Sequence, residues 1–264
     1  MRDFHLPGRS AVLATNGMCA TSHPLAATTA IEILKKGGNA VDAAVAGAVL
    51  LGICEPQMTG LGGDMFALIQ KDPTSDVVAL NGSGRAPKLA NAAALRAKGF
   101  SAVPLRGIDA VTLPGAVDGF CQITKDFGNL NLDEILAPAI HYAREGVPVA
   151  PRVAFDWNEG TVALQGSAID RFLIGGCAPK VGQMFCSPAQ AEALELIATE
   201  GRDGFYRGPV ALDMVKSLQA LGGAHTLEEF ASTKATYSTP LRGSYKGVEM
   251  LEHPANGQGA TALL

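Results

Sequence analysis

Residues 40–54, AVDAAVAGAVLLGIC, are apolar on nearly every face of a helix. A surface helix carries one apolar stripe, so a helix of this kind has to be packed on several sides. Its longest apolar run, Ala43 to Cys54, falls short of the roughly 20 residues that cross a bilayer. The enclosing layers must therefore come from protein. Asn39 is placed to cap this helix. The helix before it opens at Ser22-His23-Pro24, with the proline suited to a first turn. It presents Ile31, Leu34 and alanines on one face and ends at Gly37-Gly38, where Lys35 and Lys36 complement the helix dipole.

Beyond Cys54 the apolar period changes. Met65 to Ile69 and Val77 to Leu80 are strand-like, and Asp72-Pro73-Thr74-Ser75-Asp76 between them is turn chemistry. Two buried strands after two buried helices predict helices layered on an antiparallel sheet, not a βαβ series. The middle region is mainly helical: 91–98, 132–145, 188–200 and 209–221 are periodic, each with glycine behind it. Leu241 to Leu251 predicts a hairpin around Tyr245-Lys246-Gly247, and Pro254 to Gly259 predicts a turn. The last five residues, 260–264, open an apolar helix with no cap, which leads us to expect one part of a larger polypeptide. No internal domain boundary is expected.

Composition narrows the function classes. With 47% hydrophobic and 17% charged residues, the chain can bury a large core and is no disordered tail. Its 31 glycines and 15 prolines lack the period of three that marks collagen. A net charge of −4 without any basic cluster argues against nucleic acid or an anionic membrane as partner. Cys19, Cys54, Cys121, Cys177 and Cys186 form no CxxC pair, so neither a disulfide framework nor a structural zinc site is expected. The opening Met-Arg-Asp-Phe-His-Leu-Pro-Gly lacks an apolar signal core, which predicts a cytoplasmic setting.

Several candidate chemistries fail on spacing. Gly60-Leu61-Gly62-Gly63-Asp64 has an acid where a Walker loop needs lysine, and a strand comes next where a dinucleotide loop needs a helix. Its glycines are expected to allow close approach to another backbone. His5, His23, His141, His225 and His253 show no ligand spacing, so no metal or cofactor is expected. There is no Gly-x-Ser-x-Gly elbow, and Cys54 and Cys121 sit in apolar surroundings that suit core packing. No residue of this chain is proposed as catalytic.

One segment has binding character, Asn81-Gly82-Ser83-Gly84-Arg85-Ala86-Pro87. It comes directly after a strand, and its glycines are expected to leave room for a ligand against the backbone. If it is extended, Ser83 and Arg85 project to one face. An arginine there could grip a carboxylate through two parallel hydrogen bonds. The alternative is a surface arginine on a glycine turn.

Taken together, the residues resemble a family. Ser22 to Ala26, Lys36 to Ala44, Glu55-Pro56 through Gly63, and Leu113 to Val117 are similar to blocks of the γ-glutamyltranspeptidases. So are Pro138-Ala139-Ile140 with Ala143 to Gly146, Phe205 to Ala211, and Pro254 to Gly259, in the family's order. The resemblance implies an α+β, four-layer αββα sandwich of the N-terminal-nucleophile hydrolases, incomplete in this chain. Residues 1–264 would be part of the large subunit of a precursor that cuts itself. The freed threonine of the small subunit would be the nucleophile, its α-amine the base. The partner is then the small-subunit segment of the same precursor, the assembly a homo-oligomer of such heterodimers, and this chain alone inactive.

The resemblance also carries a departure. True γ-glutamyl enzymes have Asp-x-Arg-Glu-x-Ala-Pro, whose arginine holds the glutamyl α-carboxylate. Aligned on Ala86-Pro87, Asn81 stands at the aspartate, Ser83 at the arginine and Gly84 at the glutamate. The pattern is more like the amidohydrolase and acylase branch, which includes oxamate amidohydrolase. Arg85, displaced by two positions, is expected to bind the carboxylate of a small amide substrate, with Ser83 and Asn81 beside it.

Overall fold

The computed structural model describes residues 11–264. His5 and the N-terminal octapeptide lie outside the described residues. Helices α1 (Pro24–Lys35) and α2 (Ala40–Cys54) pack against each other at the start. His23 caps α1, its Nδ1 accepting from the Leu25 amide at 3.2 Å. Asn39 caps α2 in a reciprocal box with Asp42: Asn39 Oδ1 accepts from the amides of Val41 and Asp42, and Asp42 Oδ2 accepts from the Asn39 amide. Ten of the 15 residues of α2 are buried, as its uniform apolarity requires.

Strands β1 (Met65–Ile69) and β2 (Val78–Gly82) pair antiparallel, with Met65 opposite Gly82 and Ile69 opposite Val78. Only one face of this hairpin is covered. Phe66 and Leu68 are each 42% exposed, so the expectation of two buried strands fails for β1. The chain continues through α3 (Ala92–Ala97), α4 (Ala116–Phe127), α5 (Leu132–Glu145), β3 (Val147–Pro148), α6 (Pro151–Gly160) and α7 (Ser167–Phe172). Then come β4 (Met184–Phe185), α8 (Pro188–Glu200), α9 (Asp203–Tyr206), α10 (Gly208–Ala220) and α11 (Leu227–Ser232). The last elements are β5 (Thr236–Ser238), β6 (Leu241–Tyr245), β7 (Val248–Glu252) and α12 (Gly259–Leu263).

Strand β5 returns from the helical region to complete a sheet of order β1-β2-β5. Helix α4 lies on that sheet, α2 lies on α4, and α5 and α8 stack outward from α2. The fold is thus α+β, helices layered on an antiparallel sheet, with a mainly helical middle. Hairpin β6–β7 turns at Lys246-Gly247, both at positive φ (50° and 80°), the pair of left-handed residues that a two-residue hairpin turn needs. Its far end is tied to the sheet, where His253 Nε2 lies 3.0 Å from Leu80 O and its ring meets Phe66 edge-on. Among the described residues no helix is long and apolar enough to cross a membrane.

Candidate functional site

The end of β2 feeds directly into the Asn81–Pro87 segment. Asn81 Oδ1 accepts from the Ser83 amide (2.9 Å) and from the Ser83 hydroxyl (2.7 Å), closing a tight Asx-type turn. Asn81 Nδ2 donates to Asn256 Oδ1 at 2.9 Å, and Asn256 Nδ2 donates to Ser83 Oγ at 2.9 Å. Three side chains from the strand end and the Pro254–Gly259 turn therefore form a closed ring of neutral hydrogen bonds.

This ring borders a cleft of about 640 Å³ that is also lined by Arg85, Thr112, Lys234 and Thr236. A narrower depression of about 200 Å³ shares Ser83, Arg85, Lys234 and Thr236 and adds Lys88 and Glu229. Asn81, Ser83 and Arg85 thus line one cleft, and Arg85 is exposed there. The glycines behave differently from the expectation. A Cβ on Gly84 would sit 1.2 Å from Leu113 O, and one on Gly115 would sit 2.3 Å from Gly82 O. Their missing side chains make room for one backbone to cross another, not for a ligand. That crossing is fastened by the Leu113 amide donating to Arg85 O at 2.9 Å. Gly63 plays the structural part expected of its loop, its carbonyl accepting from the amides of Gly115 and Ala116.

The segment that brings Lys234 and Thr236 to the cleft is held by buried charge. Asp118 on α4 is 4% exposed and accepts from Arg202 Nε at 2.5 Å and from the Ala235 amide at 2.7 Å. Arg202 Nη2 donates to Thr233 O (2.7 Å) and Ala231 O (3.2 Å), and the guanidinium stacks over the Tyr206 ring. Tyr206 donates its hydroxyl to Pro114 O and accepts from the Asp118 amide; burial pushes its ionisation upward. Glu229 on α11 accepts from the amides of Lys88 (2.6 Å) and Thr226 (3.0 Å). Burial pulls the Glu229 pKa up, but the Lys88 and Thr226 hydrogen bonds outweigh it, leaving the carboxyl below its ordinary value.

Neither of the thiols at Cys54 and Cys121 is activated as a nucleophile. Burial, helped by the neighbouring Glu55 charge, pushes the Cys54 thiol up to about 12. Burial and then Asp118 do the same to Cys121, also to about 12. Among the described residues no group of three His, Cys, Asp or Glu side chains is placed to hold a metal. Four cleft residues escape sequence reasoning: Thr112, Lys234, Thr236 and Asn256. The sequence places Asn256 only in a turn, although an Asn-Gly in a family-ordered block is a usable signal. Lys234 stands alone in a polar stretch that carries no pattern.

The fold is that of the N-terminal-nucleophile hydrolases. The crystal structure of Helicobacter pylori γ-glutamyltranspeptidase matches it with a TM-score of 0.90 at 30% identity, covering 96% of this chain and 74% of that one. The family model for gamma-glutamyltranspeptidase matches residues 26–264, and the chain belongs to this family as a portion of its large subunit. It is 40% identical over 256 residues to the glutathione hydrolase-like YwrD proenzyme of Bacillus subtilis, covering 96% of this chain and 48% of the relative. Against the oxamate amidohydrolase proenzyme of Klebsiella pneumoniae, identity is 36% over 240 residues, covering 88% and 45%. The chain therefore spans about half the length of the curated relatives it matches.

Proposed function

We propose that this chain supplies the scaffold and the substrate-binding wall of a γ-glutamyltranspeptidase-like amidohydrolase that breaks a small amide through an acyl-threonine intermediate. Residues 1–264 act as one unit, the partial large subunit. The precursor cuts itself, and the threonine freed at the start of the small-subunit segment attacks the amide with its own α-amine as base. No catalytic group is assigned to this chain, and alone it is inactive. Arg85 holds a carboxylate of the substrate, while Ser83 and Asn81 shape the wall beside it.

The observation that carries this reading is the shared cleft of Asn81, Ser83 and Arg85, in a chain of this family that lacks the Asp-x-Arg-Glu pattern there. No acidic side chain lines that cleft among the described residues, so this wall offers no counterion for the α-ammonium of a glutamyl group. A γ-glutamyl hydrolase with rearranged recognition is the second reading, favoured by the relation to the YwrD proenzyme.

A denaturing gel of the full-length product tests the first step. Two fragments should form on standing, and a Thr→Ala change at the new N-terminus should leave one. A product that never cleaves itself would favour a non-catalytic paralogue. Comparing a γ-glutamyl anilide with a glutaryl anilide separates the two enzymatic readings, since only the first carries the ammonium.

A further inference from the structure

We propose that the cleft is built for a doubly anionic amide, with Arg85 taking one carboxylate and Lys234 the other. This rests on the amidohydrolase reading and makes Lys234 a specificity-determining residue.

Among the described residues, Arg85 and Lys234 are the two ionisable side chains lining the 640 Å³ cleft, in a chain whose net charge is −4. Two like charges on one cleft repel until an anion lies between them. The one acid bordering the adjoining depression forms an ion pair with neither of them. Glu229 is 4% exposed, and its two oxygens are occupied by the amides of Lys88 and Thr226. Neither Arg85 nor Lys234 forms an ion pair among the described residues.

Both cations also stand on fixed backbone. The carbonyl of Arg85 accepts from the Leu113 amide, next to the Gly84 crossing where no side chain fits. Lys234 is clamped on both sides: Thr233 O accepts from Arg202, and the Ala235 amide donates to Asp118. A buried ion pair is an expensive way to hold a loop, and here it fixes the segment whose Lys234 lines the cleft. The neutral Asn81–Ser83–Asn256 ring lines the same cleft and adds amide and hydroxyl groups without charge. The arginine fork suits bidentate carboxylate binding, whereas lysine acts as a point charge tolerant of geometry. A volume of about 640 Å³ also exceeds what a two-carbon amide fills.

The test uses the complete two-subunit protein and four anilides. Butyryl para-nitroanilide is neutral, and glutaryl para-nitroanilide carries one carboxylate. Glutaryl meta-carboxy-para-nitroanilide places a second carboxylate on the amine side, and tricarballylyl para-nitroanilide places it on the acyl side. At low salt, kcat/KM should rise about tenfold from neutral to monoanion, and about tenfold again to one of the dianions. Lys234→Ala should erase the second step, Lys234→Arg should retain most of it, and Arg85→Ala should erase the first. The inference is overturned if neither dianion exceeds the monoanion, or if Lys234→Ala lowers all four substrates by one common factor. Failure of the processed protein to cleave any of the four would overturn the amidohydrolase reading and this inference with it.

Discussion

Asp118 and Arg202 form an ion pair across 84 residues of sequence, with Nε to Oδ1 at 2.5 Å, and this pair fixes the strand-entry segment that carries Lys234. The carboxylate is 6% exposed and the guanidinium 26%, so one partner is sealed and the other reaches solvent at its edge. Asp118→Ala should cost about 2–4 kcal/mol, below the range for a fully buried pair because Arg202 keeps some water. It should also free the Ala235 amide, whose hydrogen exchange should accelerate beyond the global change. Urea unfolding gives the first quantity and exchange mass spectrometry the second; an unchanged midpoint would count against the clamp.

Gly84→Ala probes the backbone crossing. A Cβ there would lie 1.2 Å from Leu113 O and 2.4 Å from Leu113 C, both main-chain atoms that cannot rotate aside. The strand end and the 113–115 segment would have to separate, with loss of the Arg85–Leu113 hydrogen bond. We expect more than about 3 kcal/mol of destabilisation or failure to accumulate as soluble protein. Gly62→Ala, where nothing lies within 4 Å, is the matched control and should change stability little.

Arg85→Ala should act on recognition without touching the fold, since the side chain is exposed and makes no hydrogen bond among the described residues. In the two-subunit protein, KM for carboxylate-bearing amides should rise far more than for neutral ones, by about 1.5–3 kcal/mol of binding. Thermal melting should stay where it is. Equal effects on both substrate kinds, or none, would remove Arg85 from the site.

Much of this architecture was legible because local chemistry and global packing agree. The capping of α2 by Asn39 and the turn at Lys246-Gly247 each depend on residues adjacent in sequence. Where partners are distant, legibility failed. Helix α4 begins at Ala116 after Gly115, which gives no side-chain cap, and its first amide is held by Gly63 O, from the loop that precedes β1. Strand β5 is three exposed residues with no alternation, and it joins the sheet beside β2 after a segment clamped by Asp118 and Arg202. In the same way, Asn81, Ser83 and Arg85 are near neighbours in sequence, although β2 ends at Gly82 and an Asx-type turn replaces the extended run, whereas Asn256 meets Ser83 across 173 residues. No spacing rule reaches that far.

Glu229 ties the cleft to pH. Its carboxylate accepts from the Lys88 amide on one oxygen and closes the cap of α11 on the other. Burial raises its pKa, the two amides lower it further, and the net folded value lies below the ordinary one. A depressed folded pKa means that the charged form stabilises the fold. That contribution is full above the unfolded carboxyl value and disappears as the pH falls through the lower folded value. Glu229→Gln presents an NH2 group to one of two amide donors and should cost about 1–2 kcal/mol near neutral pH. As the pH falls through the depressed folded value the wild-type carboxyl takes up its own proton, and the two proteins should converge. Urea unfolding of both at neutral and acid pH reads this directly, and a difference that stays constant with pH would show that Glu229 contributes by packing and not by charge.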